Sequence, residues 1–297
     1  MSEYLKKMLE EKKSIDEVVP IDFETYYQLL KKMEKEPKPV VSKTNIPSLD
    51  NIIGGFEEGR LYILSAQTKQ GKSTMAQTMM HELGKNGESS IIFSYEMGWR
   101  EVSTVFGKMD KSDNVKTELP VYVTTELHRG GGELQFQWLF EAIAKAKLER
   151  NIKLVVIDHL HFLLPLKDFR NTSFLLGGIV REIKRIANIT RVPIILIAHT
   201  KKIDDDRTPD WTSIRDSSFI TQEADVVMMM WRIKNEEASK KITDVSTAPT
   251  YTNESMLSVE LNRMGGKTGK VKLIHNGAKF RESTEMEEFT NFANSKL

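Results

Sequence analysis

The sequence predicts an α/β protein: a doubly wound, mostly parallel sheet with flanking helices, preceded by a short helical extension. Three observations carry this prediction. From Pro47 onward, apolar runs of strand length alternate with stretches of helical periodicity. Several runs, such as Leu154-Val155-Val156-Ile157 and Ile194-Ile195-Leu196-Ile197, are continuously apolar, as strands buried on both faces of a parallel sheet read. Finally, the run Leu61-Tyr62-Ile63-Leu64 is followed by a short Gly-Lys-Ser loop and then by an amphipathic stretch, the strand, loop and helix order of a phosphate-binding loop.

Taken in order, residues 1–44 differ from the rest. Asp22 can cap a helix carrying Phe23, Tyr26, Tyr27, Leu30 and Met33 on one face, and Pro37-Lys38-Pro39 stops it. So short a helix must dock its aromatic stripe, either on its own domain or on a neighbouring copy. Strands are expected at 61–66, 90–95, 120–124, 153–158, 192–198, 225–231, 256–261 and 270–275. Helices are expected from Met75 to Leu83, through Leu134, Trp138, Leu139, Ala142, Ile143 and Ala146, and through Leu176, Ile179, Val180, Ile183 and Ala187. The last two strands should form a hairpin joined by Gly265 to Gly269. Residues 45–283 then form the main domain, with a polar tail at 284–297. No internal repeat is visible.

Composition excludes several classes. The 43 basic and 42 acidic residues leave a formal charge of +1, which argues against a broadly basic protein that coats nucleic acid but permits a local basic channel. Cysteine is absent, so no disulfide framework or thiolate metal site is available. The charged N-terminal stretch lacks the apolar core of a signal peptide, and no run reaches membrane-spanning length. A cytoplasmic protein without membrane attachment is the expectation.

The chemistry gathers at strand ends. Ala66, Gln67, Thr68, Lys69, Gln70, Gly71, Lys72, Ser73 and Thr74 form the candidate nucleotide loop, with backbone N–H groups and a helix N-terminus aimed at one polyanionic ligand. Lys72 can reach the β- and γ-phosphates, and the Ser73 hydroxyl can ligate Mg²⁺. Asp158 ends a strand as a carboxylate that holds Mg²⁺ does; a helix-capping aspartate is the competing reading. Glu96 ends another and is the candidate to orient and deprotonate an attacking water, against a solvated surface glutamate. His199 could contact the γ-phosphate as a neutral imidazole, or be structural. Arg263, beside the turn Gly265-Gly266-Lys267-Thr268-Gly269, could project onto a neighbour's γ-phosphate as an arginine finger, or be a surface residue of a hairpin.

Together these segments resemble the RecA-like ATPase domain of the DnaB family of ring-shaped replicative helicases, phage and Twinkle-type relatives included. The resemblance covers about residues 45–283. It rests on Thr44-Asn45-Ile46-Pro47-Ser48-Leu49-Asp50 with Gly54-Gly55 and Gly59-Arg60-Leu61, on Ser94-Tyr95-Glu96-Met97, and on Val156-Ile157-Asp158-His159-Leu160. The most specific marker is Ile214-Arg215-Asp216-Ser217-Ser218-Phe219-Ile220-Thr221-Gln222-Glu223-Ala224-Asp225-Val226-Val227, joined by Asn262-Arg263 and its turn. Ala66 in place of a first glycine is common in that family.

The resemblance implies a ring, most often of six, with ATP between protomers. Lys72, Ser73, Glu96 and Asp158 would act in cis and Arg263 in trans, and the 23–33 helix would pack on the adjacent subunit. Single-stranded or forked DNA would be the substrate, held by one loop near Pro165 to Thr172 with Lys167 and Arg170. A second loop, from Lys201 to Trp211, would bring Lys201, Lys202 and Arg207. Translocation would run 5′-to-3′, with a separate primase or helicase loader as partner and a phage or plasmid as the leaning origin. Two departures stand out: Leu261 where relatives often carry lysine, and Asp204-Asp205-Asp206 within the second DNA loop. The other readings left open are a RecA-like recombinase or mediator and a nucleotide-binding regulatory module that separates no strands.

Overall fold

The computed structural model describes residues 40–125, 132–164, 172–201, 208–214, 217–235 and 251–284. The expected helix at 23–33 and the tail beyond 284 lie outside the described residues. The chain enters through β1 (Val40–Ser42), α1 (Pro47–Ile53) and β2 (Phe56–Glu57), with β1 and β2 paired antiparallel. Pro47 opens α1, where a missing N–H costs nothing, and Gly54 closes it at φ 81°.

The main sheet has nine strands among the described residues. Six run parallel: β3 (Leu61–Ala66), β4 (Ser90–Ser94), β5 (Val121–Thr124), β6 (Leu154–Asp158), β7 (Ile194–His199) and β8 (Val226–Lys234). In space they lie in the order β5, β4, β6, β7, β3, β8. Beyond β8 the sheet continues antiparallel with β9 (Tyr251–Asn262), β10 (Gly269–His275) and β11 (Phe280–Glu282). The helices are α2 (Lys72–Lys85), α3 (Trp99–Asp113), α4 (Gly132–Arg150), α5 (Thr172–Thr190) and α6 (Ser217–Glu223). Among the described residues, no helix is long and apolar enough to cross a membrane.

Successive side chains of a strand point to opposite faces, and here both faces are covered. Leu61 and Ile63 of β3 join Leu139 and Ile143 of α4 and Leu176, Val180 and Ile183 of α5 in one core. Tyr62, Leu64 and Ala66 of the same strand join Met75, Met79 and Leu83 of α2 and Val102 of α3 in the other. This double burial explains why the central strands read as uninterrupted apolar runs.

All eight expected strands are present, and the expected hairpin is the β9–β10 pair. Two differences have physical causes. The strands β1, β2 and β11 contain too few residues to display a period. β9 begins at Tyr251 rather than 256 because its first half, with Thr252, Asn253 and Glu254, is too polar to mark a strand and is partly exposed.

Candidate nucleotide-binding site

In parallel sheets ligands gather at the carboxyl ends of the strands, and the register places the candidates there. Ala66 pairs with His199, and Ser94 pairs with Asp158. Since β3, β7, β6 and β4 are consecutive neighbours, the loop after Ala66, His199, Asp158 and Glu96 follow one edge of the sheet.

The loop between β3 and α2 turns back on itself with positive φ at Lys69 (65°) and Gly71 (96°). Gly71 is confined: a Cβ there would lie 2.8 Å from the Phe280 Cζ atom. Gln70 is anchored from the other side, its Oε1 accepting the Arg232 N–H at 2.7 Å. Lys72 is 6% exposed and donates to the carbonyls of Ala66 and Gln67, both at 3.1 Å. Burial lowers its pKa, while Asp158 and Glu96 oppose that shift.

Asp158 is 1% exposed, and both its carboxylate oxygens are buried without closing a hydrogen bond. Burial raises its pKa; the Ser73 hydroxyl, facing it from the loop, and Lys72 act against the rise, and Glu96 adds to it. A buried carboxylate without a donor is costly unless something compensates it. A divalent cation between Ser73 and Asp158 would do so, and this donor set of oxygens fits Mg²⁺.

Glu96 lies half exposed beyond β4, its Oε2 at 3.1 Å from His159 Nδ1. The His159 ring meets that of His199 edge to face, with centroids 4.2 Å apart. Burial is the main cause that pushes both imidazoles down to about 4, so both are neutral at pH 7. That is the protonation state expected of His199 from the sequence. Sequence reasoning missed His159 and His161 as part of this edge; their place directly after the Asp158 strand end was the available signal.

Arg263 lies elsewhere. Its N–H donates to the Asp225 carbonyl at 2.8 Å and its Nη2 to the Thr221 carbonyl at 3.2 Å. Asp225 in turn accepts the N–H of Leu61, the first residue of β3, at 2.7 Å. Arg263 therefore sits at the amino ends of the parallel strands, and the length of β3, about 17 Å at ~3.3 Å per residue, separates it from its own loop. Asn262 shapes the turn that presents it: Nδ2 donates to the Ile52 and Lys267 carbonyls at 3.1 and 3.0 Å, and Oδ1 accepts the Met264 N–H at 3.1 Å. Arg263 is solvent exposed.

Of the candidate DNA contacts, Lys201 is exposed just past β7, with its N–H bonded to the Ser213 carbonyl at 2.8 Å. Lys167, Arg170, Lys202 and Arg207 lie outside the described residues, as do Asp204 to Asp206. Leu261 pairs with Val227 and packs, partly buried, against the α4–α5 core, so an apolar side chain suits that position.

A phosphate loop between a parallel strand and a helix, with carboxylates at the neighbouring strand ends, defines the P-loop class of α/β protein in its RecA-like form. Residues 42–109 and 106–283 match the family described as DnaB-like helicase C terminal domain, and the chain belongs to that family. It is 26% identical over 265 residues to the replicative DNA helicase DnaB of Mycoplasma pneumoniae, covering 77% of this chain and 54% of that protein. The DnaB of Treponema pallidum is 23% identical over 226 residues, covering 67% and 50%. The chain thus spans about half the length of these curated relatives. Among solved structures, an ATPase domain determined by itself superposes with TM-score 0.64 at 16% identity, covering 88% of this chain and 98% of that one. A DnaB-like replicative helicase, described with its interactions with primase, gives 0.67 at 16% identity, covering 94% and 71%. The RadB recombinase gives 0.55 at 15% identity, covering 82% and 99%. At these identities the likeness is one of fold.

Proposed function

We propose that this chain is the motor domain of a ring-forming, ATP-driven DNA helicase that moves 5′-to-3′ on single-stranded DNA and excludes the complementary strand. The observation that carries this reading is the separation of Arg263 from the phosphate loop of its own chain. An exposed arginine at one end of the sheet and a nucleotide loop at the other suit head-to-tail packing, in which one protomer's Arg263 faces its neighbour's loop.

Within such an interface the residues divide the work. Backbone N–H groups of Gln67 to Ser73 cradle the phosphates, and Lys72 exchanges its two carbonyl partners for phosphate oxygens. Mg²⁺ held by Ser73 and Asp158 would supply charge neutralisation between the β- and γ-phosphates. Glu96, held by His159, orients the attacking water and takes its proton. His199, neutral, sits where loss of the γ-phosphate would be felt by β7, the strand leading into the Lys201 loop. Arg263 of the adjacent protomer stabilises charge on the transferred group. Lys167, Arg170, Lys201, Lys202 and Arg207 would grip the DNA backbone. The description of one structural neighbour with primase supports a separate primase as partner.

The test is size analysis with and without ATP, followed by ATPase and fork-unwinding assays on the assembled species. A closed ring, hydrolysis stimulated by single-stranded DNA and separation of a forked duplex are expected. Helical filaments that pair strands would favour a recombinase, and a monomer with full turnover would refute the shared site.

A further inference from the structure

Next to the Ser73–Asp158 pair lies a second set of donors. One carboxylate oxygen of Glu96, one ring nitrogen of His159 and one of His199 lie within 4.8 Å of one another. They converge from three strand ends, beyond β4, beyond β6 and at the end of β7. The two rings are held: His159 is 8% exposed, packs edge to face on His199 at 4.2 Å, and is backed by Phe162 at 4.8 Å. The His199 Nδ1 is buried and closes no hydrogen bond. Glu96, by contrast, has a side chain that is 47% exposed and has room to adjust.

We propose that Glu96, His159 and His199 form a transition-metal site, with Zn²⁺ the best-matched ion, and that an ion seated there arrests ATP hydrolysis by occupying the Glu96 carboxylate. Two imidazoles and one carboxylate with an open fourth position form a ligand set that Zn²⁺ takes readily. Nitrogen donors also separate this site from its neighbour. Mg²⁺ prefers the all-oxygen pair of Ser73 and Asp158, whereas imidazole favours Zn²⁺, Co²⁺ and Ni²⁺. Zinc needs donors about 2.0–2.2 Å away, so the three must close in slightly, and the exposed carboxylate can supply most of that movement. Both imidazoles are neutral near pH 7, so a proton does not compete for the ring nitrogens. Ion binding stands on this geometry alone; only the arrest of hydrolysis rests on the proposed role of Glu96.

The experiment titrates the tag-free full chain, stripped with a chelator and without nucleotide, with Co²⁺ and with Zn²⁺. A single ion per chain is expected, with the visible absorption bands of low-coordinate Co²⁺. His159→Ala, His199→Ala and Glu96→Gln should each weaken binding by about 100-fold, whereas His275→Ala, outside the cluster, should keep it. Glu96→Gln is nearly isosteric at a half-exposed position, which keeps loss of binding distinct from loss of fold, and circular dichroism checks the histidine variants. Stoichiometric Zn²⁺ should stop Mg²⁺-ATP hydrolysis. No binding, or binding indifferent to the histidine changes, overturns the site. Binding at these three residues with undiminished hydrolysis overturns the arrest, and with it the role of Glu96, while leaving the ion site standing.

Discussion

Gly71 condenses at one residue what the phosphate loop requires. Its backbone needs φ 96°, and its missing Cβ leaves space for the Phe280 ring from the far end of the sheet. Gly71→Ala should therefore strain the loop and push that ring away. Nucleotide affinity, read by calorimetry with a non-hydrolysable analogue, should fall by about tenfold or more, from a backbone penalty of about 1–3 kcal/mol. Unchanged affinity would mean that the loop reshapes freely. Glu96 calls for a different reading, because its hydrogen bond with His159 orients it without burying it. Glu96→Gln should lower turnover by about 10²–10⁴ with nucleotide affinity kept; hydrolysis at the parent rate would place the base elsewhere. Glu96, Asp158, His199 and Lys72 were legible in sequence because each ends or follows an apolar run. His159 was not, since its meaning comes from contact with a strand forty residues later.

At the scale of elements, a charged clasp ties α2, α3 and the turn before β11 together. Lys279 contacts both Glu82 and Asp113, and Lys85 reaches the same carboxylates at 3.0 and 2.6 Å. Burial alone would raise the Glu82 pKa, but His81, Lys279 and Lys85 outweigh it and hold the carboxyl at about 2, below its ordinary 4.5. A carboxyl depressed in the folded state stabilises it fully above the unfolded pKa and loses that effect as pH falls toward the folded one. Resistance to urea should thus decline between about pH 4.5 and pH 2, and Glu82→Gln should flatten that part of the profile. A profile of equal slope in the variant would assign the acid sensitivity to other groups. None of this clasp could be read from sequence, where Glu82 and Lys279 lie almost two hundred residues apart. The strands it braces could be, because a residue such as Leu196 has a fully buried side chain on a strand buried on both faces.

Across the whole molecule, the decisive feature is that the two ends of one parallel sheet carry complementary parts. The Asp225 backbone and side chain fasten Arg263 and the start of β3 to one point, so Arg263 cannot turn back to its own nucleotide loop. If the site is shared, Arg263→Ala and Lys72→Ala should each abolish hydrolysis, and mixtures of the two should recover part of it. Recovery arises where an intact loop meets an intact arginine across one interface. A mixture as inactive as its components would show that Arg263 serves its own subunit.

The amino-acid sequence alone determined the layered α/β plan, the loop at the end of β3 and the polar residues at its strand ends. These are local matters: period, turn chemistry and the position of a polar residue after an apolar run. Three-dimensional packing decided the rest, because it depends on register between strands distant in the chain. It brought His159 and His199 beside Glu96 and set Phe280 behind Gly71. It also put Arg263 a full strand length from Lys72, and no pattern along the chain encodes that distance.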